Sequence, residues 1–89
     1  MQPVVVAALY KFVRLTEIRS LREEILSVLG ENGLKGTILL AEEGINGTVA
    51  GSRTGIEALR SWFDCDDRFI DLNYKESLSE DVPFLRTRV

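Results

Sequence analysis

Histidine is absent from this chain of 89 residues, and cysteine occurs once, at Cys65. Without histidine the chain has no Ser-His-Asp or Cys-His arrangement, no histidine general base and no histidine metal ligand of its own. A lone cysteine excludes an internal disulfide and, with no histidine beside it, the usual structural zinc sites, so no metal site is expected. This cysteine usage fits a reducing, cytoplasmic setting. Long hydrophobic runs are also missing. The run Val4–Leu9 is far short of the roughly 20 residues that cross a bilayer, and no secretory leader pattern stands at the N-terminus. Neither is there an excess of positive charge. With 11 basic and 14 acidic residues the net charge is −3, so the overall field does not draw this domain to nucleic acid. Only a local basic face would do so.

What remains is an ordinary globular composition. Hydrophobic residues make up 45% and charged residues 28%, with Val, Ile, Leu and aromatics spread along the whole length. A chain of this size buries one core and has no room for a second.

The centre of the sequence is Lys35–Gly51, KGTILLAEEGINGTVAG. Two β-type apolar stretches, Thr37–Ala41 and Thr48–Ala50, flank the turn-forming residues Glu42–Gly47, which predicts a β-hairpin. Alternation in its second arm sets Ile45, Gly47 and Val49 against Asn46, Thr48 and Ala50, and the polar, small set suits an open sheet face. Before the hairpin, Val4–Val13 reads as a central strand, with Tyr10 and Phe12 on one face and Lys11 and Val13 on the other. A helix follows, with Ile18, Leu21, Ile25 and Val28 at helical spacing and Thr16 or Ser20 as its cap. After the hairpin a second helix carries Ile56, Leu59, Trp62 and Phe63, capped by Ser52 or Thr54. Phe69–Lys75 alternates as a half-buried strand with Ile70, Leu72 and Tyr74 inward. Glu76–Pro83 reads as a polar loop, and Phe84–Val89 alternates again as the start of a strand or linker. The order is β-α-β-β-α-β. It predicts an α+β ferredoxin-like sandwich over residues 1–81, an antiparallel sheet with both helices on one face and the strands ordered fourth, first, third, second.

No catalytic constellation emerges. Cys65 lies among Asp64, Asp66 and Asp67 at a helix end, a setting unsuited to a nucleophilic anion. Glu42 and Glu43 are adjacent, so in extended chain their carboxylates point apart rather than pairing for acid/base work. Asn46-Gly47 is turn chemistry; alternatively Asn46 presents its amide to a ligand on the open face. Tyr10, Phe12 and Tyr74 would make a stacking platform of the kind sheet-based RNA binders use, although the basic-aromatic signature of those domains is absent. Arg14 and Asn46 stand roughly where an acylphosphatase would place an Arg and an Asn, but the first loop lacks a glycine-rich anion cradle.

Several blocks together carry a resemblance: Tyr10-Lys11-Phe12-Val13, Leu34-Lys35-Gly36-Thr37, Glu43-Gly44-Ile45-Asn46-Gly47-Thr48 with Ala50-Gly51, Arg68-Phe69, Lys75-x-Ser77 and Pro83-Phe84-x-Arg86. In this order and spacing the chain resembles the N-terminal domain of the bacterial rhodanese-related tRNA uridine 5-hydroxylases. The resemblance implies an acylphosphatase-like domain preceding a rhodanese domain that holds the family's catalytic cysteine, to which 82–89 would lead. It implies no catalytic residue and no cofactor in this segment, and no match for Cys65. The partners implied are tRNA and the rhodanese domain of the same parent chain, with no membrane. The residues expected to contact RNA are Lys11, Lys35, Asn46, Thr48, Lys75, Arg86 and Arg88. Those expected to pack against the rhodanese domain, in the rival role of interdomain scaffold, are Glu43, Gly44, Ile45 and Gly47.

Overall fold

The computed structural model describes residues 4–80 and 87–89. Val4–Phe12 (β1) is followed by Ile18–Glu31 (α1), Lys35–Ala41 (β2), Gly44–Gly51 (β3), Arg53–Asp64 (α2), a short 3-10 turn at Asp67–Phe69, Asn73–Ser79 (β4) and Thr87–Arg88 (β5). The sheet order is β4-β1-β3-β2-β5. The first four strands pair antiparallel in the predicted order. β5 joins the edge of β2 in parallel, so the sheet is mixed rather than wholly antiparallel.

One core lies between the sheet and the two helices. β1 contributes Val5, Ala7 and Leu9, β2 Ile38, and β3 Ile45 and Val49. Against them pack Leu21, Ile25 and Leu29 of α1 and Ile56, Leu59 and Phe63 of α2. Each fully buried side chain of this size contributes about 1.5–3 kcal/mol of transfer free energy. Strict alternation along β1 and β3 sends the other half of their side chains to the opposite, helix-free face. The C-terminal residues are tied in as well: Thr87 Oγ1 donates to the Leu34 carbonyl at 2.8 Å, and Arg22 Nε to the Val89 carbonyl at 2.7 Å.

Three local expectations are corrected. Asn46-Gly47 is not a turn, because both residues lie inside β3 and the hairpin reverses at Glu42-Glu43. That turn is held by tertiary bonds, with Val13 N–H donating to the Glu43 carbonyl and Leu15 N–H to the Glu42 carbonyl, each at 3.0 Å. Gly47 is needed for space: a Cβ there would sit 2.5 Å from the Thr37 carbonyl oxygen of the neighbouring strand. The last strand is also displaced. Asp66 accepts hydrogen bonds from both the backbone N–H and the guanidinium of Arg68, which closes a 3-10 turn at Asp67–Phe69, where the expected strand would begin. Phe69 is thereby buried and Ile70 left exposed, and β4 runs through Glu76–Ser79, whose polar composition reads as a loop. Finally, α1 starts at neither proposed cap: Glu17, with φ 53°, precedes it and makes no side-chain capping bond.

The Asp66–Arg68 bond has a pH consequence. The Arg68 hydrogen bond, together with its charge, outweighs burial and holds the Asp66 carboxyl below its ordinary value. An aspartate in the unfolded chain keeps that ordinary value, so the bond stabilises above it and is lost as pH falls through the lowered folded value.

Candidate functional site

The helix-free face of the sheet collects the exposed polar and aromatic strand residues. Tyr10 on β1 stands opposite Asn46 on β3 and Asn73 on β4, and Asn46 in turn stands opposite Leu39 on β2. The adjacent row runs Lys75, Ala8, Thr48, Thr37 and Arg88 across all five strands. A third row holds Ser77, Val6, Ala50 and Lys35. With about 4.8 Å between strands, Lys75 and Arg88 stand about 19 Å apart, and Lys35 lies at the same margin as Arg88.

Charge is distributed unevenly between the two faces. Among the described residues, the ionised side chains on strand positions of this face are all cations: Lys35, Lys75 and Arg88. Glu76, the acid of β4, faces the helices, where it pairs with Arg53 and Arg60 of α2. The other acids among the described residues sit on helices, turns and loops. A chain with a net charge of −3 thus presents a cationic sheet face.

A shallow groove of about 400 Å³ crosses this face, with Ala8 and Thr48 as its low centre and Tyr10, Asn46, Asn73 and Lys75 as taller lining. At the hairpin end a smaller hollow of about 150 Å³ is lined by Phe12, Leu39, Ala41 and Asn46, and also touches Lys11 and Glu43. Phe12, Leu39 and Tyr10 are 86%, 63% and 50% exposed. The rings of Tyr10 and Phe12 meet edge to face with centroids 6.2 Å apart.

Of the residues expected to contact RNA, Lys35, Asn46, Thr48, Lys75 and Arg88 share this face. Lys11 does not; it is half-buried on the helix side, opposite Ile45. Arg86 lies outside the described residues. Of the residues expected at an interdomain contact, Glu43 is exposed in the turn and Gly44 is half-buried. Ile45 is in the core, and Gly47 backs onto Ile38. Asn73 and Leu39 join the site without having been expected there. Strand register, not local pattern, brings them to Tyr10 and Asn46.

The aromatic trio divides between the faces. Tyr74 is on the helix side, stacked under Arg60 at 4.9 Å and near Phe63. Its hydroxyl is buried with no hydrogen-bond partner among the described residues. Burial first, then the charges of Asp64 and Glu76, push this hydroxyl above the ordinary tyrosine value, against an opposing pull from Arg60. The unfolded chain releases its phenolic proton near pH 10, before the folded one does. Stability is therefore lost as pH climbs from about 10 through the folded value. Tyr74→Phe is expected to leave stability at pH 7 unchanged or raise it by up to about 1 kcal/mol, since an unbonded buried hydroxyl costs free energy. It should also remove this alkaline loss, as read from thermal melts at pH 7 and above 10.

Arg14 and Asn46 do not converge. Arg14 lines a separate cavity with Leu15, Thr16, Glu17, Ile18 and Glu42, two of them carboxylates. Backbone N–H groups at Val13 and Leu15 are already spent on the hairpin carbonyls. Among the described residues no group of three His, Cys, Asp or Glu side chains could hold a metal, and no helix is long and apolar enough to cross a membrane. Cys65 is exposed and unpaired.

Known structures share the architecture. The chain is similar to the BLUF protein BlrP1, with a TM-score of 0.80 at 18% identity over 99% of this chain and 64% of that one. It is similar to BlrB, a BLUF protein in its dark state, with a TM-score of 0.75 at 16% identity over 100% of this chain and 74% of the other. An acylphosphatase from Coxiella burnetii gives a TM-score of 0.64 at 20% identity over 97% of this chain and 92% of its own. At such identities the likeness shows the fold alone, and this chain spans less than two thirds of the BlrP1 chain. The family described as UPF0176 acylphosphatase like domain matches residues 4–89, almost the whole length, and the chain belongs to that family.

Proposed function

We propose that this domain is the N-terminal accessory module of a tRNA wobble-uridine 5-hydroxylase and holds tRNA on its open sheet face. In this reading the module includes β5, whose Arg88 belongs to its sheet face, and a rhodanese domain of the same parent chain carries the chemistry in the cytoplasm. The module itself contributes no catalytic residue and no cofactor. The observation that carries the reading is the cationic face: Lys75 lines its groove, Lys35 and Arg88 stand at the opposite margin of the sheet, and the described strand positions of the face hold no acid. Phosphates are held by Lys and Arg, and neutral amides and hydroxyls such as Asn46 and Thr48 add sugar or base contacts.

The test is an NMR titration of backbone amides with tRNA at low and moderate salt. Shifts are expected at Lys35, Asn46, Thr48, Lys75 and Arg88, weakening steeply as salt rises. Replacing any one of the three cations with alanine should weaken binding evenly across RNA sequences and reduce the salt slope by about one. Absence of tRNA shifts on this face sinks the reading.

A second reading has its own observation. Phe12 and Leu39 are large, apolar and exposed together at the hairpin end, as an interdomain scaffold would require. In that case adding the rhodanese domain, and not tRNA, shifts residues of the Glu43–Gly51 segment. An acylphosphatase-like anion site draws no such support, because Arg14 and Asn46 line different cavities.

A further inference from the structure

We propose that Tyr10, with Asn46 and Asn73 on either side, is a binding site for one unpaired nucleobase. The proposal rests on the tRNA-holding reading of the same face and narrows it from phosphate contact to base contact. Antiparallel register places both asparagines directly opposite Tyr10, one on each flanking strand. Residues so placed have Cβ atoms about 4.5–5.5 Å apart, so an amide stands on each side of the ring. Neither amide has a hydrogen-bond partner among the described residues. Each offers two N–H donors and a carbonyl acceptor.

An aromatic ring flanked by free amides matches the two properties of a nucleobase. The flat face of the base stacks on the ring, and its edge supplies donors and acceptors to the amides. Phe12 braces Tyr10 from the side by its edge-to-face contact. Beside the ring, the small side chains of Ala8 and Thr48 leave the groove open to a planar group. Lys75 stands two residues along β4 from Asn73, about 7 Å at strand spacing, within reach of the phosphate of the same nucleotide. A paired base inside a duplex has its faces covered and its pairing edge occupied. The site therefore selects unpaired nucleotides, such as those of an RNA loop.

The experiment compares three probes on this chain: a short fluorescently labelled single-stranded RNA, the same strand annealed to its complement, and polyphosphate as a charge-only control. The parent is expected to bind the single strand more tightly than the duplex. Tyr10→Ala should weaken single-strand binding about tenfold, the loss of one stacked base, and leave polyphosphate binding unchanged. Tyr10→Phe keeps the stacking face and should bind as the parent does. The Asn46→Ala, Asn73→Ala double variant should reduce discrimination between homopolymer RNAs. Tyr10 is half exposed, and amide spectra of each variant confirm that the fold is intact. The base site is overturned if Tyr10→Ala binds the single strand as well as the parent does, if it weakens polyphosphate equally, or if the duplex binds as tightly as the single strand. If salt-sensitive RNA binding persists in those cases, only the base site falls. If no RNA binds at any salt, the tRNA-holding reading falls with it.

Discussion

Gly44→Ala is expected to destabilise the domain by about 2–6 kcal/mol, combining backbone strain with a steric clash. Gly44 has φ 149°, a conformation that directs a Cβ sideways into β1 instead of off the sheet. That Cβ would lie 2.0 Å from the Lys11 carbonyl oxygen and 3.1 Å from Phe12 Cα. Both obstacles are backbone, so neither moves without disturbing the β1–β3 ladder. The hairpin beside it anchors the first loop through the Val13 and Leu15 amides, and these should exchange with solvent faster in the variant. Domains of this kind have only about 5–15 kcal/mol in total, so a urea titration resolves the effect easily. A midpoint matching that of the parent would show that β1 can shift to admit a methyl group, contrary to this account.

Phe63→Ala is expected to cost about 3–5 kcal/mol, the usual range for emptying a large aromatic site in a core. Phe63 is fully buried on α2, and its ring lies 5.1 Å from Trp62, 5.0 Å from Phe69 and 6.5 Å from Tyr74, each contact edge to face. These contacts join α2 to the 3-10 turn and β4, so the cavity would open where three elements meet. Phe63→Leu should recover a substantial part of the loss by refilling the volume, though not the ring contacts. Equal midpoints for the alanine and leucine variants would mean that the site collapses and the packing argument is wrong.

Much of the fold was legible because side-chain periodicity is a local property. Alternation along Tyr10–Val13 and Gly44–Gly51 shows which residues share a face, and the stripe Ile56, Leu59, Trp62 and Phe63 marks the buried side of α2. The same alternation separated Asn46 and Thr48 from Ile45 and Val49, and it separated Tyr10 from Lys11. Local pattern misled where side-chain and tertiary hydrogen bonds compete with it. At Phe69–Leu72, before the expected strand resumes at Asn73, the Asp66–Arg68 bonds close a turn that the apolar alternation does not reveal. At Asn46-Gly47 the preference of Asn-Gly for turns is overridden, because the Glu42 and Glu43 carbonyls are held by the first loop and fix the reversal there.

The sequence by itself determined the order of elements, the single core, the absence of any histidine- or disulfide-based chemistry, and which neighbours along a strand share a face. Only the tertiary structure decided what stands beside what across strands: Asn73 next to Tyr10, Lys75 level with Arg88, and Glu76 turned to the helices and neutralised there. Those juxtapositions make the cationic face. They depend on register between segments tens of residues apart, which is set by packing the helices onto the sheet and leaves no local trace in the chain.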